Sequence, residues 1–202
     1  MVQFLKLMKI GAMKFTLVLL MAVLLHACKE THDWHASDVT GMMPDLDFSL
    51  IGPDSEAVDA SELQGKPLLM FFGFTHCPHI CPTTLTRLSV IMKKLGPQAE
   101  DVRVALVSVD PVRDTPEVMR DYTTSFGPWF LGLTGSDAAL TALRKRYGVY
   151  AAMESSSSKG NYNVMHTTAV FAFDARGRIR LLISDLGDSD AVVADIKHLI
   201  DQ

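Results

Sequence analysis

The sequence predicts an α/β sandwich in which helices flank a mixed central sheet. Three observations carry this. Leu68 to Phe74 is continuously apolar and aromatic, the pattern of a strand buried on both faces. Past a short turn, Leu85, Leu88, Ile91 or Met92, and Leu95 recur at helical spacing, and Val102 to Val109 then forms a second buried run. Strand, helix and strand joined by short links make a βαβ unit, so part of the sheet is parallel. Finally, Thr167–Phe173 and Arg178–Ser184 read as a hairpin around Asp174-Ala175-Arg176-Gly177, which adds antiparallel strands.

In chain order, Lys6, Lys9 and Lys14 lead into an apolar run from Phe15 to Leu25. A basic region before a short apolar one reads as an export signal. A membrane-spanning helix needs roughly 20 apolar residues, so the run is short for that role. Leu25-His26-Ala27-Cys28 resembles a bacterial lipobox with an unusual histidine, which makes Cys28 a lipidation candidate; an uncleaved anchor is the alternative. Met8 and Met13 are alternative starts. The expected division is an anchor segment over 1–28, a polar tether over 29–44 and a folded domain over 45–202. The protein is then exported and faces the periplasm or another extracytoplasmic side.

Within the domain, Leu46–Leu50 alternates as a short strand and stops at Gly52-Pro53-Asp54. Pro82 suits the first position of the helix after the buried strand, which makes Cys81 its N-cap. That helix ends at Gly96-Pro97. Asp110 to Pro116 is a loop at the end of the second strand, with Thr115 capping a helix to about Phe126. A further helix covers about Asp137 to Tyr147, Glu154–Asn161 reads as a mobile loop, and a last helix spans about Ser189 to Ile200. The layout is thioredoxin-like.

With 48% hydrophobic and 21% charged residues, the composition excludes wholesale disorder. Removing residues 1–28 takes away three lysines and no acid, so the formal charge moves from −4 to −7. So acidic a domain is a poor nucleic-acid partner. No nucleotide loop, hydrolase triad or paired-carboxylate motif is present.

Chemistry concentrates at Cys77 and Cys81, spaced C-x-x-x-C in the turn between the buried strand and its helix. Near the positive end of a helix dipole, both sulfurs are favoured as thiolates. Such a pair serves redox or soft-metal chemistry; a structural disulfide over so short a loop adds little stability. Disulfide exchangers of the thioredoxin type carry C-x-x-C and a cis-proline before a later strand. Here the spacing is one residue longer, and Met165-His166-Thr167 stands where that proline would be. An imidazole there favours a ligand site.

The sequence resembles the Sco/SenC copper proteins of cytochrome c oxidase assembly over roughly residues 45–201. The resemblance rests on F-x-x-C-P-x-x-C-P around Cys77 and Cys81, on Val107-Ser108-Val109-Asp110-Pro111 with Arg113-Asp114-Thr115-Pro116, and on His166 before a strand. It implies one copper ion on Cys77, Cys81 and His166. Two soft thiolates suit Cu(I), and an added imidazole also tolerates Cu(II). A structural zinc site wants four protein ligands, one more than is evident.

The chain departs from the commonest family pattern at His79 and Met165, where the family favours acids; both are auxiliary ligand candidates. Asp110 either supports the site as an acceptor or starts the turn with Pro111. His76 either lines the site or is solvated. The resemblance implies a metallochaperone for the binuclear copper centre of an oxidase subunit, working with another copper donor and a thiol reductant. A membrane-anchored thiol–disulfide reductase is the alternative, and a peroxidase or redox sensor of peroxiredoxin type is a third reading.

Overall fold

The structure, a computed structural model, describes residues 33–155, 162–166 and 168–202, with 152–155 and 162–166 given by their backbone pairing alone. In chain order the elements are β1 (Ser37–Asp38), β2 (Ser49–Ile51), β3 (Ala57–Asp59), β4 (Leu68–Gly73), α1 (Ile80–Leu95), β5 (Arg103–Ser108) and α2 (Pro116–Thr124). Then follow β6 (Phe130–Leu133), α3 (Asp137–Arg146), β7 (Ala151–Ser155), β8 (Tyr162–His166), β9 (Val170–Phe173), β10 (Ile179–Ile183) and α4 (Ser189–Ile200). The main sheet runs β1-β10-β9-β4-β5-β6; β2–β3 and β7–β8 are separate antiparallel pairs.

β4 is the strand around which the sheet is built. All six of its residues are buried. It pairs in parallel with β5 from Leu68↔Arg103 to Gly73↔Ser108 and antiparallel with β9 from Leu68↔Phe173 to Phe71↔Val170. The βαβ unit and mixed sheet predicted from the apolar runs are therefore both present. Phe72 meets Phe171 edge-on at 5.8 Å between centroids, and Tyr147 lies 5.4 Å from Phe171 and 5.8 Å from Phe173. Each such pair adds about 0.5–1.5 kcal/mol beyond its area burial. The helical spacing holds as well: Leu85, Leu88, Ile91, Met92 and Leu95 of α1 are all buried. α1 packs on α4, and α2 on β6.

The local signals at α2 behave as expected, with Pro116 at its start and the Thr115 hydroxyl accepting from Val118 N at 3.3 Å. In the turn between β9 and β10, the Asp174 carboxylate accepts from the Arg176 and Arg178 amides, and Gly177 takes φ 75°. β6 is a strand no sequence pattern announced. It has four residues and a central Gly132, where a Cβ would stand 2.8 Å from the Met119 carbonyl oxygen. Close approach of α2, rather than strand propensity, explains that glycine. The loop expected over 154–161 is also shortened, because Glu154 and Ser155 belong to β7 and pair with Asn163 and Tyr162.

The tether expectation is corrected from Trp34 onward. The compact unit begins at Trp34, not at residue 45. β1 pairs with β10 at Ser37↔Leu182 and Asp38↔Leu181. The fully buried carboxylate of Asp195 accepts from the backbone N–H of His35 at 3.0 Å and of Ala36 at 2.9 Å, and pairs with His35 Nδ1 at 3.0 Å. Trp34 meets the His198 ring edge-on at 4.9 Å, with the Arg180 guanidinium 5.6 Å from the indole. A polar segment is thus held by one buried acid about 160 residues away, a contact that no local composition reveals. The 1–28 anchor segment and Cys28 lie outside the described residues. No helix among the described residues is long and apolar enough to cross a membrane.

Candidate metal centre

β4 delivers the chain at Gly73 into a loop, and α1 begins at Ile80 with His79 in the N-cap position. This corrects the expected helix start: Cys81 is the second helical residue and Pro82 the third. Proline is tolerated there because the first N–H groups of a helix have no intrahelical acceptor. The extra half-turn buries Cys81 completely, while Cys77 stays half-buried in the loop. The two cysteines are adjacent and not joined in a disulfide, with the Cys81 amide donating to Cys77 Sγ at 3.4 Å.

Burial also overturns the expectation that both sulfurs are held as thiolates. Removal from water pushes the Cys81 thiol well up; the negative charges of Cys77 and Asp114 act in the same direction, and a backbone hydrogen bond from Phe74 only partly opposes them. Desolvation therefore outweighs the helix dipole at this residue. Gly73 makes the burial possible, since a Cβ there would stand 2.9 Å from Cys81 Sγ.

A polar network lies directly behind the loop. Asp114, fully buried, accepts from Thr75 Oγ1 at 2.6 Å, Thr75 N at 3.2 Å and Ser108 Oγ at 2.6 Å. Burial raises its carboxyl, against the effect of those three hydrogen bonds. Asp110 is buried too. Its carbonyl accepts from the Arg113 and Asp114 amides, and its carboxylate pairs with Arg113, whose guanidinium lies 5.7 Å from the Phe74 ring centroid. The turn role of Asp110 is therefore present. Tyr122 Oη is buried without a hydrogen-bond partner among the described residues, and burial followed by the charges of Cys81, Cys77 and Asp114 pushes this phenol up. Sequence reasoning passed over Gly73, Thr75, Asp114 and Tyr122. Asp114 stands within the quoted Arg113–Pro116 stretch, Thr75 inside the F-x-x-C motif and Gly73 inside the apolar run Leu68–Phe74, but none was given a role there.

The remaining candidates divide. His76 is exposed and its Nδ1 lies 3.0 Å from Thr75 Oγ1. His79 is exposed and lines a groove of about 350 Å3 with Ile80, Thr83, Arg87, Thr168 and Ile183. The side chains of His166 and Met165 lie outside the described residues. Their backbone is in β8, where His166 pairs with Ala151. Since β9 enters the sheet opposite Phe71 at Val170, the chain returning from β8 comes in at the edge where β4 leaves for the cysteine loop. Among the described side chains the cysteines form a pair, and no group of three His, Cys, Asp or Glu residues is assembled. Two adjacent sulfurs suit a soft ion such as Cu(I).

A family model described as SCO1/SenC matches residues 42–201. The chain belongs to the SCO1/SenC family. A SCO2-like protein of Rickettsia felis is 35% identical over 133 residues, which is 65% of either chain, so the match spans just under two thirds of that relative's length. ScoI of Bradyrhizobium japonicum, a structure with copper bound, is 36% identical with a TM-score of 0.71, over 77% of this SCO1/SenC chain and 98% of that one. Apo Sco1 of Thermus thermophilus is 40% identical with a TM-score of 0.73, over 84% and 99%.

Proposed function

We propose that this SCO1/SenC chain binds one copper ion through Cys77, Cys81 and His166, and assists assembly of the binuclear copper centre of a respiratory cytochrome c oxidase. The observation that carries the reading is the pair of adjacent cysteines at the end of β4, where β9 begins. The copper-bound relative at 36% identity supports it. Two thiolates and an imidazole accept Cu(I) and tolerate Cu(II), and three protein donors leave a side open for a recipient. Metal binding by thiols releases protons. At Cys81 the buried negative charge is tolerable only beside a cation, so loading and proton release are coupled. Half-buried Cys77 is the accessible donor and Cys81 the anchored one. The partners in this reading are the copper subunit of the oxidase, a copper donor and a thiol reductant. The protein is exported and held at the membrane through its N-terminus, with Cys28 as the lipidation site.

The test is copper stoichiometry and X-ray absorption on the reduced protein. One copper with two sulfurs and one nitrogen supports the reading; a four-ligand zinc site sinks it. His166→Ala should abolish tight copper binding and leave reaction of the dithiol with a small disulfide largely intact. His79 and Met165 are auxiliary donors in this proposal. Aspartate at either position should weaken Cu(I) relative to Cu(II), and unchanged affinities would remove them. A second reading, reduction of a target's copper-ligand cysteines, draws on the reduced pair with one sulfur half-exposed. Turnover that survives in His166→Ala would favour it.

A further inference from the structure

We propose that Asp114 is a positioning residue for the copper donors, holding the loop that carries Cys77 against the end of β5 through Thr75 and Ser108. The inference rests on the proposed role of Cys77 and Cys81 as donors. Asp114 belongs to neither the cysteine loop nor its helix; it precedes α2, some 37 residues beyond Cys77. Its carboxylate nevertheless receives both the backbone N–H and the hydroxyl of Thr75, two residues before Cys77. Ser108, at the end of β5, donates to it at 2.6 Å and accepts from the Asp110 amide at 3.0 Å. One buried side chain therefore ties three backbone segments together next to the thiols.

The obvious alternative is that Asp114 serves only the turn before α2. That turn is already closed by backbone: the Arg113 and Asp114 amides donate to the Asp110 carbonyl, and Thr115 caps the helix. Among the described residues no ion pair reaches the Asp114 carboxylate, and its neighbour Arg113 is engaged with Asp110. A carboxylate buried in this way is costly. The turn needs no such group, whereas Thr75 of the cysteine loop gives it both its N–H and its hydroxyl. Partners behind the ligands of a metal site commonly change its affinity 10–100-fold.

The experiment compares the wild type with Thr75→Val, Thr75→Ser and Asp114→Asn in the full chain. The first readout needs no metal: alkylation of Cys77 in the reduced protein, followed by peptide mapping. The second is Cu(I) affinity by competition with a chromophoric chelator. Thr75→Val should speed Cys77 alkylation at least about fivefold and weaken Cu(I) binding about 10–100-fold. Thr75→Ser, which keeps the hydroxyl, should restore both, and Asp114→Asn should shift both in the direction of Thr75→Val. Rates and affinities within twofold of the wild type in Thr75→Val and Asp114→Asn would overturn the proposal, as would loss of melting temperature without change at Cys77. A wild type that binds no copper would end the functional reading instead, and the alkylation arm would still decide the positioning.

Discussion

Gly73→Ala isolates the demand that the cysteine pair makes on the sheet. Gly73 closes β4, has no positive φ and pairs with Ser108, so alanine meets no backbone penalty there. The objection is spatial. A Cβ would stand 2.9 Å from Cys81 Sγ, 3.0 Å from Leu106 Cδ1 and 3.0 Å from Phe71 Cε1. Optimal contacts lie near 3.5–4.0 Å, so all three neighbours are roughly 0.5–1 Å too close. Each of the three residues is fully buried, and none can move without displacing others. The cost of such overpacking is about 2–3 kcal/mol. For a domain of this size that is a fall in melting temperature of about 5–10 °C. The nearest of the three is the Cys81 sulfur, so Cu(I) affinity should fall with stability. Differential scanning calorimetry on the metal-free protein and a chelator competition on the loaded one measure both. A melting point within 2 °C of the wild type (about 0.5 kcal/mol) would refute the steric argument.

Two further outcomes follow from the buried acid and the buried thiol. Asp195→Ala removes the acceptor of two backbone N–H groups in the segment before β1 and should cost about 2 kcal/mol, read by urea unfolding; hydrogen exchange at Ser37 and Asp38 should rise tenfold or more, and unchanged protection would refute the anchoring role. For Cys81 the sign follows from its raised thiol: above the ordinary thiol range, near pH 8.5, the unfolded chain ionises while the folded one keeps its proton. Stability of the reduced, metal-free protein should therefore fall as pH rises from about 8 to 10, and Cys81→Ala should flatten that slope.

Much of the fold was legible because it is written in local periodicity. Leu68–Phe74 and Val102–Val109 read as buried strands, and the spacing from Leu85 to Leu95 as a helix between them. Thr115-Pro116 marks the start of α2. β6 escaped notice because a four-residue strand with a glycine at its centre carries no pattern; the glycine answers to Met119 across the layer. The start of α1 was misplaced by the usual weight given to proline, although the first turn of a helix has several positions where a missing N–H costs nothing. Trp34 to Asp38 looked like tether because what holds it, Asp195, is on the last helix.

The site divides along the same line. Spacing and donor chemistry alone singled out Cys77 and Cys81, because sulfur in a C-x-x-x-C turn after a buried strand has few uses. Sequence likewise singled out His166, whose side chain lies outside the described residues. Only the tertiary structure decided that Cys81 is sealed in the core, where burial pushes its thiol up, that Gly73 makes room for it, and that Asp114 lies behind the loop with Thr75 and Ser108. Those facts depend on desolvation and on contacts between segments tens of residues apart. Residue order determines which donors are present; folding sets how much water each keeps and what holds it in place.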